Sequence, residues 1–415
     1  MKIWITIFLA ITGACKVYAS TTEVCSGCLV KSITEAIRIS QPGDTLRVMK
    51  GTYKEGTIIV DKPLYLLGID WPILDGESKY EIMRIISDNV TLEGFMFRDV
   101  GVSYLNDNAA ISLEAAKNCT IANNKFENSF FGIYAKNSTD CIIVNNKLTG
   151  AAVAEMSSGN AIHLWYCKKM VVKNNVVEKH RDGIYLEFVD ESVIEKNISR
   201  NNIRYGLHFM FSNDDKYRGN TFSDNGAGVA VMFSHNIEMI NNIFEFNWGT
   251  ASYGLLLKEI HDGIISENKF MSNTIGIYGE GANRIEIAKN KFIGNGWALK
   301  ILGSCADNTI SKNNFISNTF DLSTNNSRNY NNYDGNYWSD YSGYDLNKDG
   351  KGDIPYRPMK LFSYLVGRVE PSIILLRSFF IDIIDFAEKV TPMFTPPTLV
   401  DSEPLMKPWK NAEDN

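Results

Sequence analysis

An asparagine that returns about every 22 residues constrains this chain more than any other feature. Aligning "ANNKF", "VNNKL", "KNNVV", "EKNIS", "RGNTF", "INNIF", "SENKF", "AKNKF" and "SKNNF" places it at Asn124, Asn146, Asn175, Asn197, Asn220, Asn242, Asn268, Asn290 and Asn313, in steps of 22, 29, 22, 23, 22, 26, 22 and 23 residues. Three residues earlier runs a column of Ile121, Ile143, Val172, Ile194, Tyr217, Met239, Ile265, Ile287 and Ile310. A unit this short cannot bury its own apolar face and must stack on copies of itself. Short alternating strands with a turn asparagine at constant phase describe the rung of an all-β, right-handed, single-stranded parallel β-helix, in which stacked asparagines can hydrogen-bond along the coil. No proline lies between Pro72 and Pro355, as expected where each proline would delete a ladder donor. The leucine signature of a leucine-rich repeat is missing.

The solenoid is expected over 20–330, with an N-terminal helix from about Ser32 to Ser40 closing its first coil. Before it, "MKIWITIFLAITGACKVYAS" has an early lysine, an apolar run and small residues at Ala19, which reads as a secretory signal over 1–19. A lipoprotein cut before Cys15 and an N-terminal core strand are the alternatives. No other apolar run reaches the ~20 residues of a membrane-spanning helix, so the mature chain is expected in an exported, soluble form. A formal net charge of -6 argues against a nucleic-acid partner. Cys25 and Cys28 in "CSGC" suit a disulfide, with a redox pair or a soft-metal site as other readings. Cys119 and Cys141 share a phase on adjacent rungs and should stack inside the coil as buried thiols.

The register also assigns the outer face. In "RYGLHFMFSND", Leu207, Phe209 and Phe211 alternate with His208 and Met210, so apolar side chains take one face of the strand and an imidazole and a thioether the other. Read rung by rung, one outward column is Ser112, Tyr134, His163, Tyr185, His208, Ala230, Leu256 and Tyr278. Its neighbour is Glu114, Lys136, Trp165, Glu187, Met210, Met232 and Lys258. Rungs about 4.8 Å apart bring His208, Met210 and Met232 together, with His163 as a fourth member and Glu187, Tyr185 and Trp165 around them. Imidazole with thioethers is a soft donor set, suited to Cu(I); a contact surface for protein or sugar is the plainer reading. The insertion "GAAVAEMSSG" should project as a loop next to His163. A polysaccharide lyase or epimerase using the same face, with Tyr185, His208 and Glu187 as acid and base, is the alternative function. The carboxylates are too sparse for the paired-acid or calcium-bridged sites of that chemistry.

Residues 331–415 form a different region. Asp345, Asn347, Asp349 and Asp353 alternate around Gly350 like the opening of a calcium loop, but Tyr356 stands where its bidentate glutamate belongs. A calcium site and a rigid turn both remain open. An amphipathic helix is expected from residue 371, either covering the last rung through Ile374, Leu375, Phe379 and Ile384 or docking on a partner. A proline-rich tail follows.

"GNAIHLW", "RDGIYLE", "GLHFMFSND", "GNYWSDYSGYDLNKDGKGDIPY" and "PPTLVDSEPLM" together resemble the NosD family, periplasmic maturation proteins of nitrous oxide reductase in denitrification, over essentially the whole mature chain. The resemblance implies a pectin-lyase-like β-helix with carbohydrate-binding or sugar-hydrolase-type repeats and no enzymatic activity. It implies transient Cu(I) handling, with or without sulfur, for copper-centre assembly. Expected partners are an ABC transporter (membrane subunit NosY, ATPase NosF), the copper chaperone NosL and nitrous oxide reductase, with the membrane contacted only through the transporter at the periplasmic side of the inner membrane. "CSGC" lies outside the family pattern, and the proposed ligands rest on the register.

Overall fold

The computed structural model describes residues 19–103, 107–326, 328–376, 378–390 and 398–410. The expected signal segment lies outside the described residues, apart from Ala19. From Thr21 onward the chain coils through three parallel sheets of 14, 12 and 13 strands, each strand pairing with its equivalents one coil away. The fold is the right-handed parallel β-helix expected from the repeat.

The turn asparagines hold the coils in phase. The residue before each one has a left-handed backbone, for example Asn123, Asn145 and Asn174 at φ 53°, 56° and 55°, so the chain turns a corner and directs the asparagine inward. Asn124 donates its backbone N–H to Asn146 Oδ1 at 2.9 Å, while Asn146 Nδ2 donates to the Ile121 carbonyl at 2.9 Å. The pattern repeats through Asn175, Asn197, Asn220, Asn242, Asn268, Asn290, Asn313 and Asn336. A second buried ladder, Asn202, Asn225, Asn247, Asn273, Asn295 and Asn318, runs along another corner and was not anticipated from the repeat. Corner N–H groups that no sheet can satisfy are thereby paired, as burial demands.

The interior is apolar. Ile111, Ile133, Ile162, Ile184, Leu207, Val229, Leu255 and Ile277 are all buried, and Phe222, Phe244, Phe270, Phe292, Phe315 and Trp338 stack with centroids 4.1–5.5 Å apart. Cys119 and Cys141 are buried on adjacent rungs, the Cys119 N–H donating to Cys141 Sγ. Cys25 and Cys28 are joined as a disulfide with Cα atoms 5.0 Å apart. Helix α1 (Ile33–Ile39), N-capped by Ser32, buries Ile33, Ala36 and Ile37 over the first coil.

The other end departs from expectation. Helix α2 (Leu361–Arg368) was not foreseen, and the expected helix from 371 is a short 3-10 turn over Glu370–Leu375 followed by helix α3 (Phe379–Val390). Ile374 and Phe379 do not cover the last rung: they are 86% and 79% exposed. The rung is closed by the tail. Asp401 receives N–H groups from Gly335, Asn336 and Trp338, Leu399 is buried, and Trp409 exchanges hydrogen bonds with Asn314.

Candidate functional site

The strands Ile162–Trp165, Ile184–Glu187, Tyr205–Met210 and Ala227–Met232 lie side by side. Their register pairs His163 with Tyr185, Tyr185 with His208, Glu187 with Met210, and Met210 with Met232. Both outward columns therefore fall where the repeat placed them.

Exposure corrects the expectation of an open imidazole surface. His163, Tyr185 and His208 point out of the sheet, yet all are buried, because flat rings on successive rungs cover one another. Tyr134, His163, Tyr185 and His208 stack at 4.7 Å from ring to ring, and Phe131 and Tyr205 close the sides. The ladder ends at His208 because the next rung carries only Ala230. Met210 and Met232, two residues further along their strands, are partly buried.

Phe211 is a second correction. It does not share the inward face with Leu207 and Phe209, since the strand ends at Met210 and Phe211 turns outward with φ 51°. Alternation cannot be read through a left-handed corner.

Three imidazole nitrogens in this ladder are buried without a hydrogen-bond partner: Nδ1 and Nε2 of His163 and Nε2 of His208. Burial, and then Arg181 nearby, pull His163 down to about 3, so it is neutral at ordinary pH. The Nδ1 of His208 faces two groups that sequence reasoning missed, Asp182 Oδ2 at 3.8 Å and Arg204 Nη2 at 3.4 Å. Asp182 is fully buried and bridged by Arg204 at 2.9 and 2.5 Å. Burial opposes its ionisation, but His208 and Arg204 outweigh burial and hold the carboxyl at about 2. Only the Gly-flanked pairing "RDG" and "RYG" on neighbouring rungs hinted at this buried pair.

The arrangement divides the predicted ligands. Met210 and Met232 are register partners, His208 lies two residues before Met210 on the same strand face, and Tyr185 Oη is 3.6 Å from Met210 Sδ. His163 lies two rungs from His208 with the Tyr185 ring between them. Two nitrogens on one ion lie within about 4 Å, whereas two rungs span about 9.6 Å, so His163 does not share an ion with His208. Trp165 and Glu187 line a polar groove with His163 on the same face. Burial, followed by Glu187, pushes the Tyr185 phenol well up, a poor setting for acid-base exchange near neutrality.

The remaining calls fall elsewhere. The insertion forms a 3-10 turn at Glu155–Ser157, and its Ala151, Ala152, Ser157 and Ser158 line a cavity of about 120 Å³ with Ser129 and His180. In the Asp/Gly loop, Asp345 accepts N–H groups from Lys348, Asp349 and Gly350, and Asp353 accepts from Leu346. Among the described residues no group of three or more His, Cys, Asp or Glu side chains is placed to hold a metal.

A family model described as "Periplasmic copper-binding protein (NosD)" matches residues 144–343, the rungs that carry this face. A "Probable ABC transporter binding protein NosD" from Stutzerimonas stutzeri is 28% identical over 384 residues, covering 87% of this chain and 86% of that protein. Its namesake from Pseudomonas aeruginosa is 29% identical over 370 residues, covering 85% and 86%. Among solved structures, the catalytic domain of a GH87 alpha-1,3-glucanase is similar with a TM-score of 0.56 at 11% identity, over 78% of this chain and 70% of that one. The Dettilon tailspike protein gives 0.52 at 13% identity; 69% of this chain is covered and less than two thirds, 64%, of the tailspike. Those likenesses are of fold alone. The family model covers the rungs of the histidine and methionine columns, and the two relatives, both named as binding proteins, match over 85–87% of the chain: the chain is similar to NosD proteins along most of its length.

Proposed function

We propose that this protein is a periplasmic accessory protein that takes up Cu(I) at His208, Met210 and Met232 and passes it on during assembly of the copper centres of nitrous oxide reductase. One observation carries the reading: a buried imidazole nitrogen without a partner, His208 Nε2, stands at the open end of a ring ladder on the same face as two partly buried thioethers. A buried nitrogen left unpaired costs about 1–3 kcal/mol, and coordination of a soft cation offsets that cost. Neutral imidazole and thioether donors carry no charge, so they hold Cu(I) and release it more readily than thiolates would. Copper is the cargo here, not a resident cofactor.

The association with an ABC transporter, implied by the names of the relatives, is assigned to the α2–α3 hairpin. Phe379, Phe380, Ile383, Phe386 and Val390 are half or more exposed, an apolar face larger than a solvated helix carries. Among the described residues no helix is long and apolar enough to cross a membrane, so the hairpin suits the membrane subunit's outer surface. A deletion strain tests the role. The account expects reductase protein lacking copper, restored by the wild-type chain; fully metallated reductase in that strain would contradict it.

A further inference from the structure

Three of the five histidines, His163, His180 and His208, are buried; the other two, His235 and His261, reach solvent and lie side by side. They are bridge partners on adjacent rungs, in a column that carries Asp190 and Asn213 before them and Asn283 after. Their rings stack in parallel, with centroids 5.3 Å apart and planes within 2°. His261 Nδ1 faces Asp262 Oδ2 at 3.0 Å. A carboxylate only accepts, so Nδ1 carries the proton and the lone pair of the neutral ring stays on Nε2. Arg284, one rung on, holds both oxygens of Asp262 at 2.7 and 2.8 Å. A carboxylate that fixes the tautomer and angle of an imidazole, and is itself held by a further partner, is how metal-ligating histidines are set. On the rung before, Asp214 donates its backbone N–H to the His235 carbonyl and adds negative charge close by.

We propose that His235 and His261 form a separate metal site that takes a divalent transition-metal ion, Cu(II) before Zn(II), through their two imidazoles, with water in the remaining positions. The site uses none of His208, Met210 or Met232 and stands independently of the Cu(I) reading. With two protein donors it falls below the groups of three considered above. The donor set decides the ion. Imidazole nitrogen suits neither calcium nor magnesium, which take oxygen ligands, and no sulfur is present to favour Cu(I). Affinity of a nitrogen and oxygen site for first-row dications peaks at Cu(II). Nitrogens on one ion lie within about 4 Å, so the rings tilt together at one edge from their 5.3 Å separation. The second torsion of a histidine has a broad minimum, and solvent on the outer side leaves both rings room to turn. A stack alone would not need its tautomer fixed; a ligand does.

The test titrates the purified protein with Cu(II), and separately with Zn(II), against glycine as a competing chelator, and records the electron paramagnetic resonance spectrum of the Cu(II) form. His235→Asn and His261→Asn suit a column that already holds Asn213 and Asn283, so both should melt as wild type does. The expected result is one Cu(II) per chain with hyperfine splitting from two imidazole nitrogens, weaker Zn(II) binding, and loss of both ions in either variant. Asp262→Gly fits the left-handed backbone at φ 58° and removes the carboxylate; Cu(II) affinity should fall about tenfold or more, with Asp262→Asn, which still accepts the Nδ1 proton, recovering part. No Cu(II) uptake by wild type, undiminished uptake in His235→Asn or His261→Asn, or Zn(II) held as tightly as Cu(II) would each overturn the proposal. Unchanged affinity in Asp262→Gly would remove Asp262 as the positioning residue and, with it, the reason to read the pair as ligands.

Discussion

Asp401 stands at the ladder position after Asn336, although 65 residues of chain separate them: its Oδ2 accepts the backbone N–H of Asn336 at 2.9 Å and the side-chain amide at 3.1 Å. The same oxygen accepts the Trp338 indole at 3.0 Å. The tail is thus the last element of the asparagine ladder, and Asp401→Ala leaves three buried donors without an acceptor. The loss of stability should be about 4 kcal/mol, with Asp401→Asn recovering a good part. Denaturant unfolding of the two variants checks this.

His163 gives a pH dependence with a definite sign. Burial, with Arg181, keeps it neutral when folded, at about 3, against 6.5 when free. Below about 6.5 the unfolded chain binds a proton that the folded chain refuses, so stability falls as the pH drops from there towards 3. His180, held at about 4 chiefly by burial, acts in the same direction. Each should cost about 2 kcal/mol by pH 5. His163→Phe keeps the stack, removes two unpaired nitrogens, and should gain about 1–3 kcal/mol at pH 7 while flattening the acid limb. Unfolding curves at pH 7 and pH 5 measure both effects.

The α2–α3 hairpin is anchored at both ends. Tyr356 and Asp401 bridge antiparallel next to the last rung, so excising 361–397 behind a short linker retains the cap, whereas truncating at 371 would remove Asp401 as well. The excised protein should stay folded, with a modest loss from uncovering Phe320, which packs with Phe362 and Ile381. It should no longer co-purify with the transporter. Co-purification at the wild-type level would place docking elsewhere.

What the sequence revealed and concealed has a physical pattern. A turn asparagine with constant phase sets the register of a parallel coil, and register alone pairs Tyr185 with His208 and Met210 with Met232. Burial along the outer face was not legible, because it comes from rings shielding rings across rungs. Phe211 was misplaced because period-two alternation stops at a left-handed residue. Asp182 and Arg204 lie in corners before the long strands, where no periodicity applies. Asp401 was hidden for a different reason: nothing local in a proline-rich tail marks a residue that completes a ladder in a distant rung.

Cu(I) titration against a competing chelator, comparing wild type with the Met210→Leu and Met232→Leu double variant, tests the central claim most directly. The exchanges conserve volume and should cost less than about 1.5 kcal/mol of stability, so lost binding reports on sulfur and not on folding. The account predicts Cu(I) uptake by wild type and an affinity at least about tenfold lower in the variant. The same affinity in both proteins, or no uptake by wild type, would contradict it.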